Sequence, residues 1–419
     1  MKSESVKYSP VKQPERIEII DSLRGFALFG ILMVNLPYMY EPMSQVMIGA
    51  KPDASTAQII AESFIKFFFE GKFYVIFSML FGFGFWLFMN KSMENGASPL
   101  PLFRRRLFFL LLFGIAHITL LWVGDILLLY AIIGFLLILF RKTSDRWIKR
   151  WAVILALVPA VLISLLFLFM AAAMQVPEAK EAIDVQLQGN QTTLTDLIER
   201  ATLAYSTGSF GEMASVRIEE YLTLLSGSLL FFSPVILAMF LVGFLVARNG
   251  LVKRYMENLP LFRRLFWLGL SVGVITNLLY AISYRNSVMS VPNGWSLLAT
   301  TMHTFGGISL GLCYISGMVI LFIKGRSGWL AANLAPVGRM ALTNYLMQSI
   351  ICAVLFHSYG FGFYGKVEVW QGIILTFVIF ALQIPFSRWW LNRFQFGPFE
   401  WLWRSLTYWR VQPMRNGNR

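Results

Sequence analysis

The three histidines of this 419-residue chain, His117, His303 and His357, are the side chains best suited to proton transfer near neutral pH. His117 lies in the segment GIAHITLLWVGDILLLYAIIG, eight residues before Asp125 and across a glycine turn from it. A neutral imidazole beside a carboxylate can act as a general base on a hydroxyl or an amine. We therefore predict that His117 and Asp125 are catalytic. In the simpler alternatives, Asp125 only caps the next helix and His117 only joins two helices by a hydrogen bond.

Other polar side chains interrupt apolar segments, where burying them is costly unless they have a role. Asp21 and Arg24 are three residues apart and can pair on one helix face, and Asn35 returns to nearly the same face about 16 Å further along the helix. The predicted substrate-binding residues are Arg24, Asn35, Glu70, Lys72, His303, Asn344 and Gln348. The alternatives are that Arg24 extends to lipid phosphates, that Glu70 and Lys72 pair with each other, and that the amides join helices. His357 is expected to be solvated or to face lipid.

The amino-acid composition shows that these residues do not belong to a soluble protein. Hydrophobic residues make up 57% of the chain and charged residues 14%, against about 45–50% and 25% in an ordinary soluble domain. These values exclude a soluble enzyme and a disordered chain. The net charge of +14 is spread over the segments between apolar runs, so we expect no nucleic-acid partner.

Metal and thiol chemistry have no signature in the sequence. Cys313 and Cys352 both lie in apolar segments, and no HExxH, Walker or GxSxG motif occurs. The three histidines fall in three different apolar runs, which is a poor pattern for a metal site. We expect no metal.

The apolar runs predict an all-α, polytopic membrane protein with about ten transmembrane helices. The predicted spans are 19–40, 72–89, 104–123, 125–141, 148–173, 222–247, 262–284, 297–323, 335–357 and 368–387. The segments on one side of these spans hold 27 Lys and Arg residues, and those on the other side hold six. Because basic loops stay in the cytoplasm, both termini are predicted to be cytoplasmic.

Four regions follow from this topology: a five-helix membrane half at 1–173, an outer amphipathic cap at 174–221, a second five-helix half at 222–387 and a cytoplasmic interfacial helix at 388–419. The cap carries eight acidic and three basic residues, with Leu194, Leu197, Ile198 and Leu203 at helical spacing. The last region alternates tryptophans with arginines, which is typical of a helix at the lipid headgroups. A charged helix at Ala57 to Glu70 is expected to lie at the outer interface and to break at Gly71.

The chain resembles the YeiB-like bacterial inner-membrane proteins, a family of largely unassigned function. The resemblance rests on five segments in order: DSLRGFALFGILMVN, FEGKFYVIFSMLFGFGF, GIAHITLLWVGDILLLYA, PVGRMALTNYLMQS and FGPFEWLWRSLTYW. That family is similar to the transmembrane acyltransferases, whose members move an acyl group from cytoplasmic acyl-CoA to a sugar or another envelope acceptor. The resemblance implies a multi-pass protein of the bacterial plasma membrane, with membrane lipids around it and acyl-CoA as its donor.

Many bacterial members of that superfamily carry, in the first span, an arginine followed eleven residues later by a histidine. Here Arg24 matches the arginine, but Asn35 occupies the second place. Asparagine cannot act as a base, so acyl transfer needs His117 instead, with Asp125 orienting it.

The leading hypothesis is therefore acyl transfer to a cell-envelope or small-molecule acceptor. Arg24 would bind the donor's phosphates, and Asn35 or Asn344 would donate a hydrogen bond to the developing oxyanion. This hypothesis expects His117 to face a water-accessible chamber. The alternatives are a transporter or exporter of a small solute or lipid-linked precursor, and a binding or scaffold protein without chemistry.

Overall fold

The computed structural model describes residues 17–51, 53–94, 99–252, 254–288, 290–325 and 328–416. Helices dominate this part of the chain and no named strand occurs in it, so the predicted all-α class is confirmed. The α-helices are α1 Glu18–Asn35, α2 Pro37–Tyr40, α3 Thr56–Phe68, α4 Lys72–Glu94, α5 Pro99–Leu120, α6 Leu127–Leu137, α7 Asp145–Ala173, α8 Pro177–Thr207, α9 Phe210–Gly227, α10 Ser233–Arg248, α11 Leu259–Arg285, α12 Gly294–Ile323, α13 Gly328–Arg339, α14 Ala341–Phe356, α15 Val369–Arg393 and α16 Pro398–Tyr408. Short 3-10 helices cover Met43–Met47 and Ile138–Lys142, and a π-helical turn, Ser228–Phe232, joins α9 to α10.

Six helical segments of the described residues are long and apolar enough to cross a membrane, and seven if α13 and α14, which meet at 78°, count as one bent span. Two of the six run through more than one helix, Thr56–Asn90 and Phe210–Arg248. The predicted count of ten is not confirmed. Helices α1 and α5 are left out of the count because each carries three charged residues, and α6 is left out because it has only 11 residues. The protein is nevertheless a helical membrane protein by the length and composition of its helices.

Close approach at glycines holds the bundle together. A methyl group on Gly82 of α4 would overlap the carbonyl oxygen of Phe240 on α10, and one on Gly243 of α10 would overlap that of Met79. Helices α1 and α13 approach in the same way, through Gly25 and Gly338. Such contacts let backbones pack where lipid and side chains are equally apolar. They also join helices from the first part of the chain to helices from the second.

The turn between α3 and α4 lies where the sequence predicts it. Ser55 begins α3 by accepting a hydrogen bond from the Gln58 N–H (3.2 Å), and Gly71 adopts a φ of 87° between the two helices. A positive φ of this size favours glycine, because a side chain there is strained. The break at Gly71 is therefore confirmed.

The two ends of the bundle can be told apart by what packs there. At one end, α16 lies against α5 and α14, and the Trp403 indole N–H donates to the Arg106 carbonyl oxygen (2.9 Å). At the other end, α8 packs on α9, and the Ser358 hydroxyl donates to the Gly208 carbonyl oxygen (2.6 Å). We call these the α16 end and the α8 end. Helices α5 and α14 both run from the α16 end to the α8 end.

At the α8 end, helix α8 is amphipathic, as expected, but the buried face differs in detail. Leu194 and Leu197 are buried together with Ala201 and Ala204, whereas Leu203 is 66% exposed. Leu203 lies between the two buried alanines and points away from the face they share. Helix α9 then continues through the π-helical turn into α10, without a break at residue 221.

Helix α16 is docked on the bundle by a buried carboxylate. Glu400 accepts hydrogen bonds from the N–H groups of Leu342 (2.6 Å) and Thr343 (3.0 Å) and from the Thr343 hydroxyl (2.5 Å). These N–H groups are in the first turn of α14, where backbone N–H groups have no acceptor within their own helix. Burial raises the pKa of Glu400, against the opposing effect of the Thr343 hydrogen bonds. Glu400 thus caps α14 from a separate helix.

Candidate functional site

His117 and Asp125 meet as the sequence predicts. His117 lies three residues before the end of α5, and Asp125 lies in the short connection to α6. Nδ1 of His117 is 2.9 Å from Oδ1 of Asp125, an ion-pair contact that departs from the in-line direction of a hydrogen bond. The other carboxylate oxygen, Oδ2, accepts from the Leu128 N–H (2.7 Å), so Asp125 also caps the start of α6. Asp125 therefore contacts His117 and also caps α6, as the two predictions for this residue require.

The second ring nitrogen of His117 faces a residue that the sequence analysis missed. Nε2 lies 2.8 Å from Oγ of Ser349, which is halfway along α14 and 232 residues away in the chain. Ser349, His117 and Asp125 thus form a continuous hydroxyl, imidazole and carboxylate array, which we call the His117 group. Serine is common in membrane helices, so no sequence signal singled out this position.

The His117 group is closed to solvent. Its side chains are buried, with His117 and Ser349 each 1% exposed, and the rings of Tyr345 (5.1 Å between centroids) and Trp122 (6.4 Å) pack around the imidazole. The expectation of a water-accessible chamber at His117 is therefore wrong for this conformation. Aromatic side chains fill the space where that chamber was expected.

The predicted amides on α14 lie on the same helix but are already bonded. Asn344 Nδ2 donates to the Val337 carbonyl oxygen (3.1 Å) and to the Ser387 hydroxyl (3.0 Å). Gln348 Nε2 donates to Gln383 Oε1 (2.9 Å), and Gln383 Nε2 donates to the Asn344 carbonyl oxygen (2.9 Å). Both hydrogens of the Asn344 amide are thus already donated, and the predicted donation to an oxyanion would require one of these bonds to break. The amides join α14 to α15, as polar side chains between membrane helices often do.

Asn35 and Arg24 lie apart from the His117 group. Asn35 ends α1 and is half-buried, and no hydrogen bond of the described residues joins it to His117. Arg24 pairs with Asp21 (Nη1 to Oδ1, 2.8 Å), as predicted from their spacing, and its side chain is 31% exposed. Both positions stay candidates for binding, but neither touches the imidazole.

Three arginines converge at the α16 end. The positive charges of Arg24 and Arg404 both act on Arg106, whose guanidinium lies 3.9 Å from the centroid of the Trp403 ring. Gly84 of α4 lies beside the Arg24 guanidinium. Guanidinium groups suit phosphate oxygens, so this cluster can bind a phosphorylated ligand.

A second buried polar group contains Glu70. Lys66 Nζ is 2.6 Å from Glu70 Oε2, and the Tyr280 hydroxyl donates to Glu70 Oε1 (2.8 Å). The ammonium also donates to the Tyr38 hydroxyl (3.2 Å) and lies 3.8 Å from the centroid of the Tyr284 ring. We call these five residues the Lys66 group. Its ammonium and carboxylate are both fully partnered.

The alternative that Glu70 and Lys72 pair with each other is wrong. Lys72 is completely buried, and its Nζ donates to the carbonyl oxygens of Lys66 (2.8 Å) and Glu70 (2.6 Å). Lys72 is the first residue of α4, directly beyond the turn at which α3 ends. Its ammonium therefore satisfies one carbonyl group in the last turn of α3, where a cation is favoured, and another in the turn that follows.

His303 lies beside the Lys66 group. Its ring is 5.1 Å from that of Tyr280 and stacks on that of Tyr74 at 6.2 Å. A small open cleft of about 60 Å³ borders Lys66 and Glu70 and is also lined by Glu41, Lys51 and Glu62 (among others). The structure thus brings together Glu70, Lys72 and His303, three of the predicted binding residues, but separates them from His117.

His357 is buried, and the expectation of a solvated or lipid-facing ring is wrong. It is 4% exposed, stacks on Tyr205 at 5.3 Å between centroids, and its Nδ1 lies 3.5 Å from Nη2 of Arg217. Burial, and next the Arg217 charge, lower the pKa of His357 to about 3. Helices α8 and α9 cover the end of α14, and the sequence offered no indication of that contact.

No group of three His, Cys, Asp or Glu side chains that could hold a metal ion occurs in the described ranges. The structure therefore defines an all-helical membrane protein with several polar groups buried among its helices, among them the His117 group and the Lys66 group.

The chain belongs to the YeiB-like family of bacterial proteins of unassigned function, and the predicted resemblance is confirmed. It is 35% identical over 419 residues to "Uncharacterized protein YxaH" of Bacillus subtilis (strain 168), covering 97% of each chain. It is 28% identical over 404 residues to "Uncharacterized protein YeiB" of Escherichia coli (strain K12), covering 94% of this chain and 96% of that protein. The family described as "Protein of unknown function (DUF418)" matches residues 246–410. No solved structure matches the chain.

Proposed function

We propose that this protein is an acyltransferase of the bacterial plasma membrane, which moves an acyl group from acyl-CoA to a cell-envelope or small-molecule acceptor. The supporting observation is that His117 contacts the Asp125 carboxylate through Nδ1 and presents Nε2 to a hydroxyl. In this arrangement the carboxylate stabilises the imidazolium that forms when Nε2 takes a proton. With a proton on Nδ1, on the side of the carboxylate, Nε2 would be the basic nitrogen.

The proposed topology has ten spans with both termini in the cytoplasm. The α16 end is then the cytoplasmic end, in line with the excess of Lys and Arg in the segments assigned to that side. The helices α8 and α9 cover the outer end. Helix α5 would cross from the inside to the outside with its three charged residues at the inner surface, where arginines can reach lipid phosphates.

The donor would bind at the α16 end. Arg24, Arg106 and Arg404 supply positive charge for the phosphates of acyl-CoA. Arg106 and His117 are on the same helix, eleven residues apart, which corresponds to about 16 Å along its axis. An extended pantetheine arm is long enough for that interval, so the thioester would reach the imidazole once the packed side chains between them move apart, while the nucleotide stays at the surface.

The acceptor would enter from the α8 end, where the open cleft borders Glu70 and lies near His303. Tyr38 connects the cleft to the His117 group, because its hydroxyl contacts Lys66 and its carbonyl oxygen accepts from the Trp122 indole. Trp122 in turn packs against the His117 ring. Since the imidazole is buried in this conformation, transfer requires this aromatic wall to open and then to exclude water again.

Acyl-CoA turnover by the purified protein tests the proposal. Protein in lipid nanodiscs, offered acetyl-CoA or palmitoyl-CoA together with a bacterial envelope extract, should release free thiol. His117→Ala should reduce that release by about 10²–10⁴-fold, the usual contribution of a general base, without loss of folded protein. Equal release by the two proteins, or none by the unaltered protein with either donor, would contradict acyl transfer.

Transport is the second candidate function, because buried ionisable residues such as Lys66 and Glu70 often mark solute pathways. Sealed proteoliposomes separate the two functions. A transporter moves a labelled solute across the bilayer without changing it, whereas an acyltransferase yields a product with a new ester or amide. Movement of unmodified solute that depends on Glu70 but not on His117 would favour transport.

A further inference from the structure

We propose that Ser349 is the nucleophile that carries the acyl group covalently between donor and acceptor, an inference that rests on the proposed acyl transfer. Its Oγ lies 2.8 Å from His117 Nε2, and His117 Nδ1 lies 2.9 Å from the Asp125 carboxylate. A hydroxyl within reach of a base, with that base held by a third group, is the arrangement of an activated nucleophile. The three residues come from α14, α5 and the connection before α6.

The Ser349 hydroxyl contacts a side chain on another helix, as the Ser78 hydroxyl also does, whereas several other hydroxyls bond to their own helix. Ser164, Ser271 and Thr376 each donate to the carbonyl oxygen four residues earlier, at 2.7 Å, 2.9 Å and 3.0 Å. That bond is the usual way in which a helical hydroxyl satisfies itself in an apolar medium. Ser349 instead contacts Nε2 of the imidazole across the bundle, and it can donate its proton there when Nε2 is the unprotonated nitrogen.

The closed state of the site also fits a covalent intermediate. An acyl ester on Ser349 would be enclosed with His117, both of which are 1% exposed. Exclusion of water protects such an ester from hydrolysis until the acceptor arrives. The donor and the acceptor could then use the site in turn from opposite ends of the bundle, without meeting there.

Two balanced steps describe the reaction. In the first, Ser349 Oγ attacks the thioester carbonyl carbon, the carbon–sulfur bond breaks, and the serine proton passes through His117 Nε2 to the departing coenzyme A thiolate. In the second, the acceptor hydroxyl or amine attacks the ester carbon, and the bond to Ser349 Oγ breaks. The acceptor's proton passes through Nε2 back to the serine oxygen. Asp125 stabilises the imidazolium in both steps.

The experiment uses the full-length protein in nanodiscs with two probes. The first is acyl-labelled acetyl-CoA or palmitoyl-CoA, followed by acid quenching and counting of label on the denatured chain. The second is a small fluorophosphonate, which modifies serines activated by a histidine whatever the natural donor is. The variants are Ser349→Ala, Ser349→Cys, His117→Ala and the matched control Ser164→Ala, which removes a helical hydroxyl bonded to its own helix.

Both probes should label the unaltered protein and Ser164→Ala on the peptide that contains Ser349. Ser349→Ala and His117→Ala should lose more than about 90% of the label, and Ser349→Cys should hold the acyl group as a thioester that neutral hydroxylamine removes. Thiol release should fall by about 10²-fold or more in Ser349→Ala, the loss expected when a covalent route is removed.

The outcomes separate this inference from the proposed function. Thiol release that persists in Ser349→Ala but depends on His117 would overturn the covalent intermediate and leave direct acyl transfer standing. Fluorophosphonate labelling of Ser349 without any thiol release would support the activated serine but overturn acyl-CoA as the donor. Absence of both acyl and fluorophosphonate label from Ser349 in the folded protein would overturn the inference.

Discussion

The His117 group and the Lys66 group are both buried between helices, but their charges are balanced differently. In the Lys66 group, the Glu70 carboxylate lies 2.6 Å from the Lys66 ammonium and accepts a hydrogen bond from the Tyr280 hydroxyl at 2.8 Å, so its charge is balanced by direct contacts. In the His117 group, the Asp125 carboxylate faces an imidazole, which can be neutral or positive. A pair that is already charged and complete is suited to structure and binding, whereas a pair that can take up a proton is suited to catalysis.

The two groups also differ in how close they lie to solvent. The Lys66 group borders an open cleft, and the His117 group is enclosed by aromatic rings. A polar ligand in the cleft would lie against the edge of the first group, while the second group excludes water, which strengthens electrostatic effects within it. Under the proposed acyl transfer, the group beside the cleft would lie on the entry path of the acceptor, and the enclosed group would carry out the reaction.

The largest effect is expected from Asp125→Asn. Asparagine can still cap the Leu128 N–H, but it removes the negative charge that stabilises the imidazolium. We expect thiol release from acyl-CoA to fall by about 10²–10⁴-fold while the melting temperature changes little. The control is Asp145→Asn, which removes a carboxylate paired with Arg248 at 3.2 Å. Equal activity of the two variants would show that the Asp125 carboxylate has no role in the reaction.

A substitution in the Lys66 group should act on stability. Lys66→Met leaves the buried Glu70 carboxylate without its ammonium, which should cost about 3–5 kcal/mol in the free energy of unfolding. The double variant Lys66→Met with Glu70→Gln should recover most of that loss, because no unpaired charge remains. Unfolding in mixed detergent micelles measures both.

The control for that substitution is Lys51→Met. Lys51 pairs with Glu41 at 2.6 Å, but its side chain is 43% exposed, so the loss should stay within about 1 kcal/mol. A double variant as unstable as Lys66→Met alone would show that shape, rather than charge, holds the Lys66 group together.

The smallest effect concerns His357, which belongs to neither group. Its pKa of about 3 in the folded protein, against 6.5 ordinarily, means that the unfolded chain takes up this proton first as the pH falls. The stability due to the neutral ring is complete above pH 6.5 and declines towards pH 3, with a loss of about 1–2 kcal/mol by pH 5. Thermal unfolding between pH 7 and pH 5 should be less pH-dependent in His357→Gln. An unchanged pH dependence would show that other groups account for the decline.

How much of the site was predictable depends on the separation of its residues along the chain. His117 and Asp125 are eight residues apart, and their types and the glycine between them predicted the contact. Ser349 is 232 residues from His117, and its partner could be found only from the packing of α5 against α14. The spacing of four residues between Lys66 and Glu70 placed them on one helix face, but the tyrosines that complete the Lys66 group come from other helices.

Composition and local pattern were enough to predict the helical membrane class, the break at Gly71 and the pairs Asp21 with Arg24 and His117 with Asp125. These features depend on composition, on local backbone preferences or on residues within a few helical turns, so they can be predicted without knowing which helices pack together. The tertiary structure decided which distant polar groups meet, that the His117 ring is enclosed, and that His357 and Lys72 are buried. Such meetings depend on the close approach of helices at small residues, as at Gly82 and Gly243, and no local pattern specifies which two helices approach.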